Sequence, residues 1–275
     1  MSERTRVLIG LPKSRSGSTF MRDVLTGHPA VWIGHETRLY CQLSWTGHFQ
    51  NVWQRRERYP DRGKRVASAL DGAFEAMAKR YPNLSRRRSS PKLSAECIIE
   101  LEKRLFPNDK IRVLGDKGYI SLPPTKLMLN SLLEAVALPM PMKVIYIYRD
   151  PRNVFTSIRR FAAGREIWQP LWVHDPFRHS IEWVEAWENW EKIKKQGKVP
   201  WLEIKYETLI NEPDKQLARV AKFLGLNNAQ PFVGTFKKKL KGSVGNWQKQ
   251  QPNIESQMHP SIFALMEKLG YKRGK

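Results

Sequence analysis

Residues 8–37 read LIGLPKSRSGSTFMRDVLTGHPAVWIGHET, and the order of residue types along them decides the fold. Val7, Leu8, Ile9 and Leu11 form a short apolar run of the kind that fills a buried parallel strand. Pro12, Ser14, Ser16 and Gly17 break the run, and Phe20, Met21, Val24 and Leu25 resume it at helical spacing. A strand, a Gly/Ser-rich turn and a helix in that order place the backbone N–H groups of Gly17, Ser18 and Thr19 at a helix N-terminus. Unpaired donors and the helix dipole stabilise an anion there. The loop is not a Walker A sequence, because Gly10 and Gly17 are too far apart and Ser18 stands where the lysine belongs. It reads as a phosphate cradle rather than a nucleoside triphosphatase loop, although an ordinary strand-to-helix turn could carry the same residues.

A second element of the same kind lies further along the chain. Lys143 to Tyr148, KVIYIY, is rich in β-branched and aromatic residues and reads as a strand. Pro151 suits the first helical position with Asp150 as N-cap, so Val154, Ser157, Ile158 and Phe161 fall on a helix. Arg149 then closes the strand at the edge where open α/β sheets bind ligands, and the Ser157 hydroxyl can point back to that edge. A guanidinium fork plus a neutral donor suits a doubly charged phosphate. A solvated arginine is the alternative reading of Arg149 alone.

Taken together, these pieces resemble the sulfotransferases that use 3′-phosphoadenosine 5′-phosphosulfate (PAPS). In that family a basic-Ser-Gly-Thr/Ser-Thr loop holds the 5′-phosphosulfate, and an arginine with a later serine holds the 3′-phosphate. Arg15-Ser16-Gly17-Ser18-Thr19 matches the first motif and Arg149 with Ser157 the second. Tyr206-Glu207-Thr208-Leu209 resembles the family's Tyr-Glu-x-Leu segment, and Lys241-Gly242 through Trp247 its late Lys-Gly-x-x-Gly-x-Trp loop. From Arg15 to Arg38 the chain is most similar to tyrosylprotein sulfotransferases and bacterial relatives, aligning without gaps.

The resemblance implies a catalytic base at Glu36, a substrate-site arginine at Arg38 and, through Gly115-Asp116-Lys117, a lysine beside the sulfonate at Lys117. It leaves two choices open. The family's proline directly precedes the loop's basic residue, whereas Lys13 and Ser14 separate Pro12 from Arg15, so Lys13 and Arg15 both compete for the bridging oxygen. His35 stands where relatives often carry an acid and rivals Glu36 as base. The implied chemistry is in-line transfer of a sulfuryl group through a loose transition state, with no metal. The protein then mainly positions the reactants, stabilises charge on the leaving phosphate and accepts the acceptor's proton. The product nucleotide would be adenosine 3′,5′-bisphosphate.

Composition sets the wider frame. The chain has 275 residues, and its sheet motifs, spread from Val7 to Tyr206, predict a single α/β domain over 1–275 with a P-loop-containing parallel sheet flanked by helices. No apolar run near membrane-spanning length and no signal peptide are present, so a cytoplasmic enzyme without a membrane anchor is expected. Cys41 and Cys97 read as inert thiols, and no Cys/His spacing suggests zinc.

Helices are expected over 64–80, 94–105 and 125–137 and a strand over 111–114, with an exposed loop between the first two helices that carries Arg86-Arg87-Arg88. The stretch 164–177 is expected as a loop, with Trp168, Trp172 and His174 as candidates for an acceptor lid, and Trp183, Trp187 and Trp190 as core-facing residues of a helix. Lys plus Arg number 48 against 26 Asp plus Glu, a net +22, which admits nucleic acid, anionic membrane, an anionic glycan and an acidic peptide as partners; the acceptor stays open among peptide tyrosine, sugar hydroxyls, a hexosamine amine and small metabolites. A nucleic-acid-binding protein is the alternative from another class, but the basic residues are dispersed rather than gathered in a recognised motif. A P-loop small-molecule kinase is the enzymatic alternative, disfavoured by the absent Gly-Lys-Ser/Thr.

Overall fold

The computed structural model describes residues 4–35, 40, 60–81, 91–107, 110–120, 136–163, 175–240 and 247–274. Five strands, β1 (Thr5–Leu11), β2 (Val31–His35), β3 (Val113–Ile120), β4 (Lys143–Tyr148) and β5 (Trp201–Lys205), form a parallel sheet ordered β2-β3-β1-β4-β5. Ten α-helices are seen among the described residues: α1 (Ser18–Thr26), α2 (Pro60–Arg80), α3 (Pro91–Leu105), α4 (Pro151–Ala162), α5 (Pro176–Lys195), α6 (Tyr206–Asn211), α7 (Pro213–Leu224), α8 (Gln230–Lys239), α9 (Trp247–Gln250) and α10 (Ser261–Lys268). The chain leaves β1 toward β2 on one side and later passes from β3 across to β4 on the other. The reversal puts the topological switch point, and hence the natural ligand crevice, at the carboxyl end of β1.

Strand alternation sends side chains to two cores, one on each face. Leu8, Val144 and Tyr146 pack under helices α2, α3, α4, α5 and α10, whereas Val7, Ile9, Ile145, Ile147 and Ile204 pack under α1, α6, α7 and α8. Burial on both faces is why the strands read as apolar runs rather than as clean alternation. The three tryptophans of α5 are buried as their spacing predicts, with Trp190 stacked on Tyr146 at 4.2 Å and 4° and Trp187 edge-on to Tyr148 at 5.1 Å.

Two expectations change. The strand expected over 111–114 runs from Val113 to Ile120 and takes in Gly115, Asp116 and Lys117. The cause is close packing of β3 on β1: a Cβ at Gly115 would lie 2.4 Å from the Val7 carbonyl oxygen, so glycine continues this strand rather than ending it. The loop expected over 164–177 gives way to α5 at Pro176, where the Asp175 side chain accepts the Arg178 N–H at 3.1 Å. Residues 164–174, the Arg86–Arg88 loop and nearly all of the helix expected over 125–137 lie outside the described residues. Cys97 is buried, and burial pushes its thiol up to about 12, in keeping with an inert thiol; Cys41 is outside the described residues. Among the described residues no helix is long and apolar enough to cross a membrane.

Candidate active site

The loop between β1 and α1 is shaped by two residues with positive φ, Arg15 at 72° and Gly17 at 102°. The Ser16 hydroxyl donates to the Lys13 carbonyl at 2.6 Å and the Ser16 N–H reaches the same oxygen at 3.3 Å, which closes the turn. Gly17 is the N-cap of α1, and no side chain among the described residues caps that end. The first-turn N–H groups of Ser18 and Thr19 thus lie at a helix N-terminus that carries no side-chain cap among the described residues. Only glycine fits at position 17, because a Cβ there would meet the Tyr206 ring at 2.5 Å. Tyr206, the first residue of α6, thus forms one wall of the cradle.

The β4–α4 turn lies beside it, since β4 pairs directly with β1. Here the helix end is capped by its own acid: Asp150 accepts the Arg152 N–H at 2.9 Å. An anion at this second position has to be held by side chains rather than by free helix N–H groups. The side chains available are Arg149, whose guanidinium lies over the Tyr206 ring at 4.6 Å, and Ser157 one helical face along. The two sites join through Arg15, whose Nε donates to Ser157 Oγ at 3.2 Å while its guanidinium covers the Phe161 ring at 4.9 Å.

Lys13 takes a different course. It is buried and ion-paired with Glu182 of α5, next to His179. Burial holds the Lys13 ammonium below its ordinary value against the opposing pull of Glu182. Of the two rivals in the loop, Arg15 is therefore the exposed cation at the mouth of the cradle and Lys13 the one turned inward. Neither Glu182 nor His179 was singled out from the sequence, because nothing local marks a pairing between the first loop and α5.

His179 carries a pH signature. It is 1% exposed, donates Nε2–H to the Pro151 carbonyl at 3.0 Å, and is held well below its ordinary value by burial and then by Lys13. The unfolded chain takes up this proton below about pH 6.5 and the folded chain does not, so stability falls as pH drops through that range. The slope from this group approaches about 1.4 kcal/mol per pH unit only well below about pH 6.5, and the change it contributes between pH 7.5 and 5.5 is about 1.4 kcal/mol in all. Thermal unfolding of wild type and His179→Gln between pH 7.5 and 5.5 checks it: the variant should lose that part of the slope, and an unchanged slope would refute the assignment.

The residues expected on the acceptor side begin at the end of β2. His35 ends β2 and pairs in register with Lys117 of β3, which pairs in turn with Ile9 of β1. Lys117 is buried beside Asp116, whose carboxylate accepts the Lys117 N–H at 2.9 Å. His35 and Lys117 are thus level on adjacent strands, with Lys117 three residues before the end of β3. Glu36, Arg38, Lys241 and Gly242 lie outside the described residues. Trp247, the last residue of the late motif, is docked at α4, its N–H on Asn153 Oδ1 at 3.2 Å and its ring under the Arg152 guanidinium at 4.2 Å.

A model of the Sulfotransferase family matches residues 7–230. The fold is similar to the sulfotransferase domain from the Synechococcus PCC 7002 olefin synthase, with 18% identity and a TM-score of 0.60 over 100% of this chain and 98% of that one. It is also similar to the sulfotransferase domain from the curacin biosynthetic pathway, with 20% identity and a TM-score of 0.57 over 99% of this chain and 100% of that one. No curated protein sequence matches significantly. With the family match spanning both strand-to-helix turns and reaching every strand of the sheet, the chain belongs to the sulfotransferase family.

Proposed function

We propose that the chain, acting as one domain over 1–275, transfers a sulfuryl group from PAPS to a hydroxyl, less readily an amine, of an acceptor. The observation that carries this reading is the pair of strand-to-helix turns on adjacent strands β1 and β4, one open at its helix end and one armed with Arg149 and Ser157. Two such turns side by side are what a nucleotide with phosphate on both its 5′ and 3′ positions calls for, and Arg15, in contact with Ser157, links the two. PAPS supplies an activated sulfuryl group on a phosphate leaving group.

The residues then divide the work. The N–H groups of Gly17 to Thr19, with Arg15 and Lys117, hold and neutralise the 5′-phosphosulfate, where charge grows as the leaving phosphate departs. Lys13, drawn in by Glu182, fixes the floor of the loop. Arg149 and Ser157 grip the 3′-phosphate, Tyr206 walls it in, and Lys241 and Gly242 close over the nucleotide. Glu36 takes the acceptor proton, with His35 as its rival, and Arg38 orients the acceptor. The surplus of cations, net +22, favours an acidic peptide or an anionic glycan as acceptor rather than a specific nucleic acid.

Calorimetry with adenosine 3′,5′-bisphosphate, ATP and a short DNA duplex separates the classes. Tight binding of the bisphosphate alone is the expected result, whereas preferential binding of ATP would point to a kinase and of DNA to a nucleic-acid-binding protein. Labelled PAPS with acidic tyrosine peptides, uronic-acid glycans and neutral small hydroxyl compounds then identifies the acceptor. A polyanionic acceptor should show a KM that rises more steeply with salt than that of PAPS, as the Debye length shortens from about 10 Å at 0.1 M to about 3 Å at 1 M.

A further inference from the structure

The C-terminal segment closes on the second anion-binding turn from behind. Tyr271 is buried, and its hydroxyl donates to Glu207 Oε2 at 3.0 Å. The other oxygen of that carboxylate, Oε1, accepts the backbone N–H of Asp150 at 3.0 Å. Asp150 is the residue that follows Arg149 and caps α4. Around this link the segment is pinned at several points. Lys205 Nζ donates to the Leu269 carbonyl at 2.7 Å and lies 3.9 Å from the centre of the Tyr271 ring. Arg152 donates to the Lys272 carbonyl at 2.9 Å and pairs with Asp150 and Glu255. The Gly274 N–H reaches Glu255 at 3.1 Å.

We propose that Tyr271, acting through Glu207 on the Asp150 N–H, is a positioning residue that sets the direction of Arg149 and so the preference for nucleotides bearing a 3′-phosphate. The inference rests on the donor reading above. Glu207 has two fixed donors, one on the turn and one on the C-terminal segment. Burial already raises its carboxyl above its ordinary value, and the two hydrogen bonds oppose that shift. When the Tyr271 hydroxyl is removed, a half-buried carboxylate oxygen loses its partner. The carboxylate then rotates or takes up a proton, and either response weakens its hold on the Asp150 N–H. The turn preceding α4 gains freedom at the residue that carries the guanidinium, and a guanidinium fork loses much of its strength when misaligned. The cradle at α1, one strand away, keeps its own contacts.

The test is the ratio of affinities for adenosine 3′,5′-bisphosphate and adenosine 5′-monophosphate, measured by calorimetry on wild type and Tyr271→Phe. Phenylalanine keeps the ring that covers Lys205 and removes only the hydroxyl. The ratio should fall by about 5- to 10-fold, the scale of one net hydrogen bond, while affinity for the monophosphate stays within about twofold. A purely structural role would weaken both ligands together, and that result, or an unchanged ratio in a variant whose wild type discriminates, overturns the proposal. If wild type itself does not prefer the bisphosphate, the donor reading fails and the inference with it. Should Tyr271→Phe not yield folded protein, Glu207→Ala breaks the same link from the other side, with at least the same fall in ratio expected and an unchanged ratio fatal.

Discussion

Arg149→Ala is expected to weaken binding of adenosine 3′,5′-bisphosphate by about 10²-fold while changing affinity for adenosine 5′-monophosphate by less than about threefold. The magnitude follows from the loss of a charge-assisted pair at a partly enclosed site, worth roughly 2–5 kcal/mol when the remaining charge is left without its partner, of which water recovers a part. Pro151 has no N–H and Asp150 already occupies that of Arg152, so the start of α4 is a poor substitute for the lost guanidinium. Removing Arg149 also uncovers one face of the Tyr206 ring, against which it packs at 4.6 Å, but the ring still abuts Gly17 and the edge-on Phe20 ring at 6.2 Å. Ser157→Ala should cost less, about 10-fold, the scale of a hydrogen bond to a charged group. Its effect should not add to that of Arg15→Ala, because Arg15 and Ser157 touch at 3.2 Å and are coupled. Equal losses for both nucleotides on Arg149→Ala would remove Arg149 from the 3′-phosphate site.

The parts of this site that were legible in the sequence are those governed by local rules. The apolar run before Pro12, the glycine at position 17 and the resumed helical spacing give β1, the turn and α1 within about two residues. Asp150 and Pro151 give the start of α4, and KVIYIY gives β4 with its observed bounds. In each case the signal and the structure it specifies lie within one turn or one strand of each other.

What escaped the reading is set by contacts between distant parts of the chain. β3 was cut short at Leu114 because Gly115, Asp116 and Lys117 look like a break in an apolar run, and only the nearness of the Val7 carbonyl shows why glycine belongs there. That extension is what brings Lys117 into register with His35 at the sheet edge. The inward turn of Lys13 depends on Glu182, and the support behind Arg149 depends on Glu207 and Tyr271. No periodicity or spacing encodes these partners, since each is chosen by the way helices and strands stack after the sheet has formed.

The catalytic base is the place where the two remaining rivals give opposite results. Glu36→Gln is expected to lower kcat by about 10²- to 10⁴-fold, the range of a positioned general base, with affinity for adenosine 3′,5′-bisphosphate unchanged because this residue acts on the acceptor and not on the nucleotide. Its neighbours in the chain are well anchored. His35 ends β2 in register with Lys117, and Tyr40 is buried with its hydroxyl donating to Glu102 at 3.2 Å, where Arg6 pairs bidentately with the same carboxylate. Glutamine preserves size and polarity at position 36, so a fall in kcat without a change in nucleotide binding isolates proton transfer from positioning. A neutral imidazole at His35 could accept the same proton, and His35→Gln is the companion measurement. With Glu36 as base, the His35 variant should keep kcat within about 10-fold and the acid limb of the pH–rate profile should disappear only in Glu36→Gln. The reverse pattern, kcat lost in His35→Gln and retained in Glu36→Gln, would move the base to the last residue of β2, next to Lys117.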